Sequence, residues 1–159
     1  MSTLTWRVGD LTTPSSADGI VTADVWLTLD GVAFPENRWN DFSIAVLSSA
    51  TTAYEEIAHG APDAFSYFFD GPFYLYYRRI AGGLVAVEAN TDKGGVPKTL
   101  AAGDIEIEPW RTTLLAATEA TLEAMSGKPH TEEPHDIMQR IKEVLQAPPG
   151  AARRPPADD

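Results

Sequence analysis

Apolar and polar positions alternate most clearly between Val21 and Leu29. Val21, Ala23, Val25, Leu27 and Leu29 fall on one face, and Thr22, Asp24, Trp26 and Thr28 fall on the other. A period of two marks a half-buried strand, and Asp30-Gly31 supplies the tight turn that ends it. Upstream, Leu4, Trp6 and Val8 predict a shorter strand closing at Gly9-Asp10, and the run from Thr12 to Gly19 has the composition of a loop. The period then changes. Phe42, Val46, Ala50, Ala53 and Ile57 recur at three- and four-residue spacing, with Ala45 and Ser49 beside them, which predicts a helix over 40–59. Asn40 or Asp41 is placed to cap its first turn, and Gly60 to end it in the left-handed region. The small residues from Ser48 to Ala53 lower intrinsic helicity, so close packing on a sheet must hold this helix.

Three strands follow, at Phe65–Asp70, Phe73–Ile80 and Leu84–Asn90, with turn compositions at Asp70-Gly71-Pro72 and Ala81-Gly82-Gly83. The Gly-, Lys- and Pro-rich stretch 91–103 predicts a loop, with Ile105 and Ile107 adding a short strand. A second helix is expected from Pro109 to Ser126, with Leu114, Leu115, Thr118, Leu122 and Met125 as its apolar stripe. A third starts near Glu133 or Pro134 and uses Ile137, Ile141, Val144 and Leu145. The order of elements predicts an α+β fold: an antiparallel sheet of about five to six strands with helices packed on one face. Residues 1–147 form one domain, and the Pro/Ala-rich tail 148–159 buries too little to fold. Strand–helix alternation of the Rossmann kind is missing.

Composition narrows the chemistry. The 159 residues include no cysteine, which excludes disulfides, thiol nucleophiles and thiolate metal sites. The net charge of −11 opposes duplex DNA and anionic membranes as partners, so neither nucleic acid nor a membrane is expected. Residues 1–70 hold ten acids and two arginines, whereas residues 71–103 hold two acids and four bases. The acidity therefore belongs to the folded body. Such a body can steer a basic protein partner, although acidic surfaces also serve plain solubility. The N-terminus lacks the basic-then-apolar pattern of a signal peptide, and no run approaches the length of a spanning helix, so a cytoplasmic location is expected.

Candidate catalytic groups are few. His130-Thr-Glu-Glu-Pro-His135-Asp136 is the one stretch dense in metal-competent side chains. Its histidines are five apart with Pro134 between them, whereas one helix face needs a spacing of three or four, so it reads as a polar linker. His59 stands at a helix C-terminus, where an imidazole is favourable against the dipole. No glycine-rich phosphate cradle and no Gly-x-Ser-x-Gly elbow occurs. Glu55-Glu56 and Glu132-Glu133 are adjacent pairs that point in different directions and read as solvated faces. No catalytic residue, metal site or cofactor is expected.

The aromatic cluster is more informative. Phe65, Tyr67, Phe68, Phe69, Phe73, Tyr74, Tyr76 and Tyr77 crowd thirteen residues of predicted sheet. Alternation turns about half of them toward the helices and leaves the rest, Tyr74 and Tyr76 among them, on the opposite face with Arg78. Exposed Tyr and Arg suit a protein interface, and a homodimer is one way to cover that face. Stacking on bases needs a positive field, which this chain lacks. The candidate interface residues are Trp39, Asp41, Asp70, Tyr74, Tyr76 and Arg78. Trp39 also suits a staple at the helix entry, and Asp70 suits the Asp-Gly-Pro turn. The alternative is a small-molecule pocket between sheet and helices, gated by 91–103 and furnished by Asp24, Trp26, Arg78 and Glu88.

Three local features carry a resemblance: Gly31-Val-Ala-Phe34-Pro35-Glu-Asn-Arg-Trp39-Asn-Asp41-Phe42 entering the first helix, Phe69-Asp70-Gly71-Pro72 between strands, and the acidic strand leading to Pro109. Over residues 20–125 the chain resembles small bacterial α+β proteins of the kind found as immunity proteins beside polymorphic or contact-dependent toxins. The resemblance implies a non-enzymatic protein that binds and occludes a cognate toxin.

Overall fold

Eight strands among the described residues divide into two antiparallel sheets of four, and three α-helices pack against them. The computed structural model describes residues 1–17 and 19–147, so the tail 148–159 lies outside the described residues. The fold is α+β and antiparallel, as the order of elements predicts, but its strands form two sheets rather than one of five or six.

The first sheet contains β1 (Leu4–Thr12), β2 (Thr22–Leu29), β3 (Val32–Phe34) and β4 (Asn40–Asp41). β2 is central: β1 pairs along one side, while β3 and β4 pair with successive parts of the other. Val21, Ala23, Val25, Leu27 and Leu29 are all buried, as their alternation requires. The opposite face carries Thr22, Asp24 and Thr28 together with the buried ring of Trp26. Asp24 there accepts from Arg38 at 3.2 Å and from Asn40 at 3.5 Å, and Arg38 and Asp24 form an ion pair.

The second sheet is the meander β5 (Asp63–Tyr67), β6 (Phe73–Arg79), β7 (Leu84–Thr91) and β8 (Lys98–Glu106). β8 corrects the expectation of a loop over 91–103. Only a short turn around Lys93–Gly95 separates β7 from a nine-residue strand. Thr99, Ala101 and Ala102 give little hydrophobic alternation to read, and the strand is held by its ladder to β7 rather than by its own pattern. The two sheets meet where the Ser2 N–H donates to the Asp104 carbonyl at 2.8 Å.

Helix α1 (Ser43–Ala58) packs along β5, α2 (Ile107–Met125) lies on β1, and α3 (Glu132–Gln146) packs on α2 and α1. Val46, Ala50, Ala53 and Ile57 of α1 are buried as expected, joined by Leu47 and Tyr54. Phe42 is not part of this stripe; it precedes the helix and is 37% exposed. Gly60, at φ +101°, follows the C-cap residue His59, whose Nδ1 lies 2.8 Å from the Glu55 carbonyl. In α3 the buried residues are Met138, Ile141 and Leu145, with Ile137 and Val144 half-buried, so the stripe is rotated toward Met138. One apolar core links both sheets and all three helices. Under β6 and β7 it is aromatic. Trp110 of α2 stacks on Tyr77 at 4.6 Å and meets Tyr54 edge-on at 5.4 Å. The buried Tyr77 hydroxyl is hydrogen bonded to the Ser66 hydroxyl at 2.9 Å.

Candidate functional site

The six residues singled out in the sequence fall into two places. Trp39, Asp41 and Asp70 belong to the junction between the sheets. β4 sets Asp41 opposite Ala23, and there its side chain is 2% exposed. Its carboxylate accepts from the Trp39 indole N–H at 2.9 Å, the Phe42 N–H at 2.7 Å, the Phe69 N–H at 3.0 Å and the Asp70 N–H at 3.2 Å. This replaces the expected cap: the carboxylate serves the residue just after it and the distant β5–β6 turn, and α1 begins without a side-chain cap. Burying a carboxylate is costly unless such donors surround it, and four do. Trp39 meets the Phe73 ring edge-on at 5.2 Å. A Cβ at Gly71 would stand 3.0 Å from the Phe73 ring and 3.2 Å from that of Trp39, which explains glycine in the Asp-Gly-Pro turn. Asp70 contributes its main-chain N–H here and keeps an exposed side chain.

Tyr74, Tyr76 and Arg78 occupy the other place, the outer face of the second sheet. Every second residue of β6 points there, and the ladder brings the matching residues of β5 alongside: Asp63 opposite Arg78, Phe65 opposite Tyr76 and Tyr67 opposite Tyr74. Phe65 and Tyr67 were missing from the sequence-based set although they are 46% and 49% exposed. The signal that finds them is parity: across an antiparallel turn, residues whose numbers add to a constant share a face. The Phe65 ring lies 4.7 Å from that of Tyr76 and 6.3 Å from that of Tyr74. The Tyr76 hydroxyl donates to Asp63 at 3.0 Å, and that bond raises its pKa above the ordinary phenol value. Tyr74 is raised as well, first by lost hydration and then by the Asp92 carboxylate. Glu88 and Asn90 of β7 continue the face beyond the tyrosines.

Clefts open beside α1. One, of about 580 Å³, is mainly apolar and lined by Ile20, Val21, Phe42, Ile44 and Ile137, with Glu132 and Glu133 from α3. The second, of about 690 Å³, runs between α1 and β5 and shares Ala45 and Ser48 with the first. The groups named for a small-molecule pocket do not converge on either. Asp24 and Trp26 stand on β2, Arg78 and Glu88 on the outer face of the other sheet, and the expected gate is largely β8. Among the described residues no cluster of three or more His, Asp or Glu side chains is placed to hold a metal, and no helix is long and apolar enough to cross a membrane. No protein-family model, curated protein or solved structure matches the chain.

Proposed function

We propose that this protein is a non-enzymatic binding module that engages a basic protein partner through the outer face of its second sheet, in the manner of an immunity protein masking a toxin. The observation that carries the reading is the row Phe65, Tyr67, Tyr74 and Tyr76 on a sheet face that no helix covers among the described residues. Aromatic residues supply large contact area at a low cost in side-chain entropy and dominate binding hot spots. Asp63, Glu88 and Asp92 stand around the row against one base on the face, Arg78 opposite Asp63, and within a body of net charge −11 this balance favours a partner of opposite sign. Self-association through the same face is the second reading, since an isologous pair would bury the same four rings.

Native mass spectrometry of the protein with lysate of its source organism tests both. A stoichiometric complex with a basic protein is expected, and it should disappear in the Phe65→Ser/Tyr76→Ser variant while persisting in Arg38→Ala beside the other sheet. A clean homodimer lost in the same double variant transfers the face to self-association. A complex indifferent to Phe65 and Tyr76 removes the reading.

A further inference from the structure

Resting on the reading of the protein as a partner-binding module, we infer that the cleft between α1 and β5 seats an extended, lysine- or arginine-bearing segment of the partner, paired to β5 as an added strand.

The ladder settles which main-chain groups are free. The Arg79 N–H donates to the Pro62 carbonyl and the Phe68 N–H to the Phe73 carbonyl. With the β5–β6 register, these bonds direct Ala64 and Ser66 toward β6 and turn Asp63, Phe65 and Tyr67 away from it, toward the open edge. The Tyr67 N–H is taken by the Ser49 hydroxyl at 3.0 Å. The N–H and carbonyl of Phe65 have no protein partner among the described residues. An exposed edge with unpaired groups is a template for another strand.

The opposite edge of the sheet is closed by comparison. The Ser2 N–H covers the Asp104 carbonyl, a bulge interrupts β8 between its pairings at Thr99 and Ala101, and Lys98 opens the strand. These are the usual protections of an edge; β5 is flanked by α1, whose Ser49 takes the Tyr67 N–H, and leaves the main-chain groups of Phe65 unpaired among the described residues.

Shape and charge define the occupant. One wall is the small-residue surface of α1, Ala45, Ser48, Ser49 and Thr52, which allows a main chain to approach closely. The other wall is Phe65, Tyr67 and Phe69, each exposed by nearly half. Glu56 and Asp63 are the charged side chains of the lining among the described residues, with no Lys or Arg beside them there. In a strand paired to Phe65, side chains on one side would meet the aromatic wall and those on the other the small-residue surface, leaving a cation within reach of Glu56 or Asp63.

The probe is an acetylated, amidated hexapeptide of alternating lysine and valine, with the glutamate–valine hexapeptide as control. Amide spectra and hydrogen exchange of the isotope-labelled full chain are followed. The lysine peptide is expected to shift the amides of Ser48, Ser49, Thr52 and Phe65 and to slow exchange at Phe65 roughly tenfold. Glu56→Gln should weaken this binding severalfold, and the glutamate peptide should bind no better than that variant. Shifts confined to Tyr74 and Tyr76, equal binding of the glutamate peptide, or no shifts at all overturn the cleft assignment. If partner capture still depends on Phe65 and Tyr76 in any of these cases, the reading of a partner-binding face stands while the cleft does not.

Discussion

The two sheets are built alike and finished differently. Both are four-stranded and antiparallel, and both turn one face to the common core. On the first sheet the outer face carries Arg7, Thr22, Asp24 and Thr28, with Asp24 engaged by Arg38, and one buried aromatic ring, Trp26, opposite Arg7. On the second, the outer face carries Phe65, Tyr67, Tyr74 and Tyr76 instead. The inner face of each sheet feeds the core, and the single aromatic ring on the first sheet's outer face contrasts with the row of four on the second. This difference between the two outer faces is the observation on which the proposed partner-binding role rests.

The contrast predicts a ranking of effects. The largest belongs to the inner side of the second sheet. Trp110→Ala removes a ring that is 1% exposed and packed on Tyr77 and Tyr54, and should cost about 3–5 kcal/mol in denaturant titration. A loss below about 1 kcal/mol would erase the distinction between inner and outer faces. Next comes the junction. Asp41→Ala strands four donors between β4 and the β5–β6 turn and should cost about 3 kcal/mol, with the fluorescence of Trp39 reporting the loosened contact. An effect confined to partner binding, with stability intact, would move Asp41 from the junction to the interface.

A pH experiment sharpens the same boundary. Burial is the main cause that keeps the Tyr77 hydroxyl protonated well above its ordinary value of 10.0, while the hydrogen bond from Ser66 acts the other way. Below pH 10 both folded and unfolded chains hold this proton, and its contribution to stability is fully present. Above pH 10 the unfolded chain releases it and the folded chain does not. Stability should therefore fall by about 1.4 kcal/mol per pH unit from this group until the raised folded value is reached. Denaturation midpoints between pH 8 and 12 should show a shallower decline in Tyr77→Phe, and an unchanged slope would mean that the ring is not sealed from water.

The outer faces come last. Phe65→Ser with Tyr76→Ser should lower the melting temperature by roughly 2–4 °C at most, because these rings give up only cross-strand contact. Arg38→Ala in the turn between β3 and β4, which removes an ion pair made by an exposed arginine, should move stability by about 0.5 kcal/mol or less. A large loss from the aromatic pair would place those rings in the stability of the fold and weaken the case for recognition.

Much of this architecture was legible in the chain. The alternation from Val21 to Leu29 marks all five buried residues of that face, while the burial of Trp26 on the other face is not in the pattern. Val46, Ala50, Ala53 and Ile57 identify the buried side of α1, and Asp-Gly-Pro identifies the β5–β6 turn. The residue types that make an uncovered aromatic row are local as well, since Tyr74, Tyr76 and Arg78 share parity within one strand. What local pattern lacks is the partner across a ladder or a junction. β8 has almost no periodicity of its own, and its pairing with β7 creates it. Asp41 has the composition of a helix cap, but the donors that claim its carboxylate include two residues nearly thirty positions away. Phe65 and Tyr67 join the candidate face only through the register with β6, and the cleft along β5 exists only because α1 lies beside it. Periodicity records which side of an element is apolar; tertiary structure decides what meets that side, because burial and hydrogen bonding are properties of neighbours distant in sequence.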